Sequence, residues 1–268
     1  MNFQRGADQY GNLKDYEKDF FTEEEIQNMD FKPIHDEVIF LIHLNANAFE
    51  KTTEDRVAIE ETLKGFSSFI KSKIISSPQD KVGLVFYSSA TSQNPLNFNG
   101  IDVMMDLEVP SASRIKQANE IKVNFGDLKI AEKETQLSEA LWVCNYMFSK
   151  KGAKESTQRI FLFTTEDNPD GHDVALQVQA KHRAEQMLGN GVEIELFPLR
   201  VNNRNFDYNI FYKDIVSFDE DEANPEVYNP NDKLSHLAVR LRRKEFKKRV
   251  LGKVDFTIGK GTIVGAKL

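Results

Sequence analysis

Val38-Ile39-Phe40-Leu41-Ile42 is an unbroken apolar run, entered from Asp36-Glu37 and left through His43-Leu44-Asn45-Ala46-Asn47. A strand with one solvated face alternates polar and apolar residues. A strand covered on both faces does not, so this run reads as the buried strand of a layered sheet. Lys81-Val82-Gly83-Leu84-Val85-Phe86-Tyr87 and Arg159-Ile160-Phe161-Leu162-Phe163-Thr164 repeat the pattern, and Val192-Glu193-Ile194-Glu195-Leu196-Phe197-Pro198-Leu199 is a more alternating fourth run. Three segments with helical spacing lie between them: Val57, Leu63, Phe66, Phe69, Ile70 and Ile74; Leu137, Leu141, Val143, Cys144, Met147 and Phe148; Val174, Leu176, Val178, Met187 and Leu188. Consecutive parallel strands need helical crossovers, so the alternation predicts an α/β fold, a mostly parallel sheet with helices on both faces.

Ile101 to Val109 interrupts the rhythm and reads as an edge strand. Asp219-Glu220-Asp221-Glu222 with Pro225 and Pro230 marks a loop, after which Leu234, Leu237, Val239 and Leu241 begin a last helix. Beyond Leu251, Lys253 to Gly265 reads as two short strands around a glycine turn, with no partners in the preceding sheet. Residues 1–35 are polar and acidic without periodicity and read as an arm. The division is therefore an arm over 1–35, an α/β domain over 36–251, and the start of a second unit over 252–268.

The chain has 268 residues, 40% of them hydrophobic and including 20 Phe, enough to build a core. One Cys cannot form an internal disulfide, and no apolar run reaches the ~20 residues of a bilayer span, which points to a reducing, intracellular setting. A net charge of −7 disfavours nucleic-acid binding until its distribution is examined. Ten basic residues and two acidic ones lie between Arg240 and Leu268, a local +8, leaving −15 on the rest. That segregation suggests an acidic body joined to a segment near a polyanion.

In open α/β sheets chemistry gathers at the carboxyl ends of the strands. Here those ends are His43-Leu44-Asn45-Ala46-Asn47 and the Thr164 to Asp173 loop. The oxygen-rich Glu166–Asp173 segment reads either as a site for a hard cation or an enzyme's acids, or as turns and a helix cap. No phosphate-binding glycine loop, zinc spacing or nucleophile elbow is present, and Cys144 reads as a buried thiol.

Lys73-Ile74-Ile75-Ser76-Ser77, Val85-Phe86-Tyr87, Leu137 to Cys144, Arg159 to Thr164, Glu166-Asp167-Asn168-Pro169 and Phe211-Tyr212-Lys213-Asp214-Ile215 occur in this order along the chain. Together they resemble the amino-terminal region of the 70-kDa-type subunit of the Ku heterodimer. The resemblance implies a von Willebrand factor type A-like (Rossmann-like) domain over 36–251, followed by the first strands of the DNA-encircling β-barrel.

It also implies binding of double-stranded DNA ends together with the 80-kDa-type Ku subunit, in non-homologous end joining, double-strand break repair and telomere maintenance. End-joining kinase and ligase factors and telomere factors are the implied partners, the nucleus the implied location, and neither a membrane nor a cofactor is expected. The type A domain would serve mainly as a protein-interaction scaffold. The basic residues Arg240, Arg242, Arg243, Lys244, Lys247, Lys248 and Arg249 would lie near the DNA, or alternatively form a solvated helix face.

Adhesion-type relatives hold a metal through Asp-x-Ser-x-Ser after the first strand. Here the pattern is His43-x-Asn45-x-Asn47, a degenerate site from which no metal binding is expected. The rival readings are a metal-dependent ligand-binding type A domain and an α/β enzyme using the Glu166–Asp173 loop. Ku proteins are also associated with a Schiff-base lyase activity on abasic or 5′-deoxyribose-phosphate ends. Asp30-Phe31-Lys32 resembles the context of the reacting lysine, which makes Lys32 the candidate; on its own it reads as an ordinary lysine with a pKa near ~10.4. The helicase label carried by the family finds no motor motif here.

Overall fold

The structure, a computed structural model, describes residues 35–52, 55–133, 135–151, 156–199, 206–216 and 236–245, and the backbone of the strands 253–257 and 263–267. Its centre is β1 (Asp36–His43), which pairs in parallel with β2 (Lys81–Tyr87) on one side and β4 (Thr157–Thr164) on the other. β5 (Val192–Pro198) extends the sheet in parallel beyond β4, and β3 (Ile101–Glu108) closes the opposite edge antiparallel to β2, giving the order β3-β2-β1-β4-β5.

Alternate residues of β1 build two cores, because successive side chains of a strand point to opposite faces. Val38, Phe40 and Ile42 pack with α2 (Ala58–Ser76), α3 (Ala112–Val123) and α6 (Leu237–Glu245), where Phe40 meets Phe66, Phe69, Phe161 and Phe163 at centroid distances of 4.9–5.4 Å. Ile39 and Leu41 pack on the other side with α4 (Leu137–Lys151) and α5 (Val174–Gly189). The mostly parallel sheet and its helix-covered faces are as the sequence predicts; the central place of β1 is decided by the pairing.

Two helices escape the apolar pattern. α1 (Ala46–Phe49) and α3 are announced only by their caps, the Asn45 side chain accepting from the Ala48 N–H and Ser111 from the Arg114 N–H. A correction concerns α5. The predicted helix is present, but Val174, Val178 and Leu188 face solvent, and Ala180, Ala184 and Met187 make the buried contact. Small residues let this helix lie close against α4, and of the apolar positions that gave the periodicity Met187 alone is fully buried.

The loop predicted around Asp219–Glu222 and the 1–34 part of the arm lie outside the described residues. β6 (Lys253–Thr257) and β7 (Ile263–Lys267) pair antiparallel with each other in a separate sheet.

At the head of the central strands the apolar layers give way to buried charge. Arg159 on β4, 1% exposed, donates from Nε to Asp36 Oδ1 at 3.0 Å and from a terminal nitrogen to Asp36 Oδ2. Its other terminal nitrogen reaches Glu195 of β5 at 3.0 Å and the Lys244 carbonyl of α6 at 2.8 Å. Lys73, equally buried, bridges Asp36 at 3.2 Å and Asp80 at 2.7 Å. Burial alone would pull the Arg159 pKa down; the bonds to Asp36 and Glu195 outweigh it and raise it.

Because each charge here is desolvated, removing one member leaves the others buried without a counterion. Arg159→Ala is expected to cost about 3–5 kcal/mol in urea unfolding. Arg159→Lys recovers only part of this, since an ammonium cannot reproduce the planar fork on Asp36.

Candidate functional site

β1 and β4 end side by side, bringing His43 next to Thr164 at the carboxyl edge of the sheet. The His43 ring is 2% exposed and stacks on Tyr87 of β2, with centroids 4.4 Å apart and planes within 6°. Its Nδ1 lies 3.2 Å from the Thr164 hydroxyl, and the Asn45 amide nitrogen is 3.4 Å away. Burial lowers the His43 pKa from the ordinary 6.5 to about 3, so at neutral pH the ring is uncharged.

Asn45 Oδ1 accepts the Thr165 hydroxyl at 2.8 Å and the Ala48 N–H at 3.0 Å. His43 and Asn45 thus form a neutral hydrogen-bonded plug joining β1, β2, β4 and α1, while the Asn47 carbonyl accepts the Glu50 N–H. A divalent cation of the hard type needs charged oxygens. The residues after β1 offer imidazole and two amides, with the Asn45 oxygen already engaged, so they do not fit one. Among the described residues no group of three or more His, Cys, Asp or Glu is arranged to hold a metal ion.

The acids of the Glu166–Asp173 loop are spent on local structure. Asp173 caps α5 by accepting the Ala175 N–H at 2.8 Å, and Asp170 accepts the Leu137 N–H at the start of α4 at 3.2 Å. Asp167 accepts the Asp207 N–H at 3.0 Å, and the Glu166 carboxylate accepts the Asn168 N–H at 3.4 Å while its main-chain carbonyl accepts the Tyr212 hydroxyl at 3.1 Å. Burial raises the Asp170 pKa against the opposing Leu137 N–H, but the carboxyl acts as a helix cap. The turn-and-cap alternative of the sequence reading is the one this geometry carries.

The basic residues of the last helix divide by role. Arg240 donates to the Pro198 carbonyl at 3.1 Å, and Lys244 pairs with Glu195 at 3.1 Å. Arg242 and Arg243 face solvent, whereas Lys247, Lys248 and Arg249, like Lys32, lie outside the described residues. Since Pro198 ends β5 and Glu195 lies within it, α6 runs antiparallel to the strands, and its basic end points to their amino edge.

The sequence places Thr164 and Thr165 at the same carboxyl edge as His43, but does not reveal their bonds to His43 and Asn45 or the stacking of Tyr87, because the contact joins three strands. Sequence reasoning also missed a groove of about 750 Å³ between residues 88–100 and 129–136. The polar run Ser88-Ser89-Ala90-Thr91-Ser92-Gln93-Asn94 after a buried strand was its one available signal.

The strand order, the antiparallel edge strand and the helices on both faces define a von Willebrand factor type A-like domain. Solved structures agree on the fold. The VWA domain of SpRpn10 superposes with a TM-score of 0.50 at 15% identity, covering 70% of this chain and 85% of that one. The pilus adhesin SpaC of Lactobacillus rhamnosus GG gives 0.56 at 12% identity, covering 80% and 30%.

Within that class the family model described as the Ku70/Ku80 N-terminal alpha/beta domain matches residues 37–251, and the chain belongs to this family. It is 34% identical over 235 residues to the X-ray repair cross-complementing protein 6 of Mus musculus, covering 85% of this chain and 38% of the relative. To the protein named ATP-dependent DNA helicase ku70 of Dictyostelium discoideum it is 32% identical over 239 residues, covering 83% and 26%. The chain therefore spans well under half the length of these relatives.

The buried His43 makes stability pH-dependent with a definite sign. Its folded pKa is depressed, so the unfolded chain takes up the proton first as pH falls. The contribution is complete above about pH 6.5 and declines by about 1.4 kcal/mol per pH unit towards pH 3. His43→Phe, which keeps a ring on Tyr87, is expected to show a shallower loss than the parent chain in urea titrations between pH 7 and pH 4.

Proposed function

We propose that this chain is the amino-terminal interaction domain of a Ku70-type subunit, which with an 80-kDa-type Ku partner holds double-stranded DNA ends in the nucleus during non-homologous end joining. The family match over residues 37–251 carries this proposal. The charge distribution supports it, with an acidic body followed by a basic exit helix. In this division of labour the α/β domain presents surfaces to end-joining kinase and ligase factors and to telomere factors, and the DNA is gripped by the part of the relatives that this chain does not span.

The anchored Arg240 and Lys244 hold α6 on the sheet. Arg242, Arg243 and the following Lys247, Lys248 and Arg249 are the residues proposed to run beside the phosphates. Lys32 is the proposed Schiff-base amine, and borohydride trapping on an abasic duplex, compared between the parent and Lys32→Ala, tests it. Equal trapping removes Lys32 from that role. The His43-x-Asn45-x-Asn47 segment is proposed to act without metal, so millimolar Mg²⁺ leaves the melting temperature unchanged.

Two measurements check the main proposal. Co-expression with an 80-kDa-type Ku subunit is expected to give a joint peak in size-exclusion chromatography when the full-length subunit is used. The 268-residue chain alone is expected to bind duplex ends weakly in anisotropy titrations, with log K falling by about 0.9 per log unit of salt for each of only a few phosphate contacts. Nanomolar end binding by this chain alone contradicts the proposed division.

A further inference from the structure

α6 is nine residues long, too short to hold itself in water, so it persists only through what it touches. Its contacts fall into two opposed sets. Leu237 and Leu241 are buried in the core that β1 shares with α2, and Leu241 lies so near Gly65 that a Cβ there would stand 3.0 Å from its Cδ2. Arg240 donates to the Pro198 carbonyl, Lys244 pairs with Glu195, and the Arg159 guanidinium donates to the Lys244 carbonyl. A cation on the last carbonyls suits the negative end of a helix. These contacts hold α6 down.

Glu245 works against them. It ends the helix, is 7% exposed, and its Oε1 is buried without a hydrogen-bond partner. A carboxylate in the last turn meets the negative end of the dipole, and a buried acceptor without a donor carries an uncompensated desolvation cost. The nearby cations do not relieve it. Lys64 is committed to Glu60 at 2.8 Å and Glu61 at 3.0 Å, and Arg242 is exposed. Both helices run towards the amino edge, where Lys73 of α2 and Lys244 of α6 end, so with Leu241 beside Gly65 the Glu245 carboxyl lies a turn further on, away from Lys64. A groove of about 310 Å³ separates Ser68, Phe69 and Ser72 from Ala238, Leu241 and Glu245, and the atoms lining it lack part of their packing.

The sheet depends on α6 less than α6 depends on the sheet. Arg159 keeps Asp36 and Glu195 when the Lys244 carbonyl is withdrawn, the five strands pair among themselves, and α4 and α5 cover the other face. Detaching α6 breaks the Arg240 and Lys244 contacts and uncovers Leu237 and Leu241, and it returns the Glu245 carboxylate to water.

We propose that α6 is a latch, which undocks from α2 and β5 as one unit while the β1–β5 sheet stays folded, and that Glu245 keeps its docked state only marginally favoured. Arg242 and Arg243 ride on this helix, so opening moves them. The opening itself depends on the fold and not on what these residues bind, so the proposal and the DNA-end reading stand or fall separately.

Native-state hydrogen exchange of the 268-residue chain in sub-denaturing urea tests it, under conditions where exchange reports the opening equilibrium. The amides of Leu241 to Glu245 are expected to share one opening constant and one urea dependence, with a constant at least ~100-fold larger than that of the Phe40 and Leu41 amides of β1. Glu245→Gln, which keeps the shape and removes the charge, is expected to lower the α6 constant about tenfold. Lys244→Met, which removes the pairing with Glu195, is expected to raise it several-fold. Val143→Ala, in the core on the opposite face, is expected to speed exchange in β1 and leave α6 unchanged, because that contact survives in the open state. Equal constants in α6 and β1, protection graded from the helix end without urea dependence, a Val143→Ala effect of the same size in α6, or an α6 constant that is unchanged or larger in Glu245→Gln each overturns the proposal.

Discussion

The guanidinium of Arg159 is the point on which the architecture turns. It enters a site closed to solvent at the head of β4 and there holds Asp36 of β1, Glu195 of β5 and the main chain of α6 at Lys244. Buried ion pairs contribute little net stability compared with apolar packing, since desolvation offsets most of the attraction. Their consequence is register. With Asp36 and Arg159 tied, β1 and β4 can align in one way, and α6 has one place to end. α6 therefore ends at a defined edge of the sheet, set by a cluster that tolerates no missing member.

At the opposite edge the same sheet has lost its ionic character. In the metal-binding type A pattern a carboxylate follows the first strand; here an imidazole lies flat on Tyr87 and is held neutral by burial. The amide of Asn45 completes the plug and at the same time caps α1. The carboxyl edge thus becomes a hydrogen-bonded seam between strands. Two acids of the neighbouring loop are used to start helices, Asp170 for α4 and Asp173 for α5.

These two edges give the charge distribution a structural sense. The acidic excess lies ahead of Arg240, and the described carboxylates Asp170 and Asp173 within it cap helices. The basic run begins on α6, and its first and fifth residues are committed to the sheet while Arg242 and Arg243 remain outward. A net charge averaged over the chain conceals this separation, and with it the relation to a DNA-binding family.

The sequence by itself determined the class of fold and the family. Five apolar residues from Val38 to Ile42 cannot be soluble unless covered on both faces, and that constraint is local, so it is visible in a linear string. Helix existence was legible for the same reason in α2, α4 and α5. The buried face of α5 was not, because Ala180 and Ala184 are chosen by the distance to α4 and not by their hydrophobicity. Only the tertiary structure decided that His43 is a neutral partner of Thr164 and Tyr87, that Arg159 is a hub with three neighbours, and that loops 88–100 and 129–136 enclose a groove. Each of these is a contact between residues dozens of positions apart, whose energy comes from exclusion of water at their meeting point, and a sequence records the partners without the place where they meet.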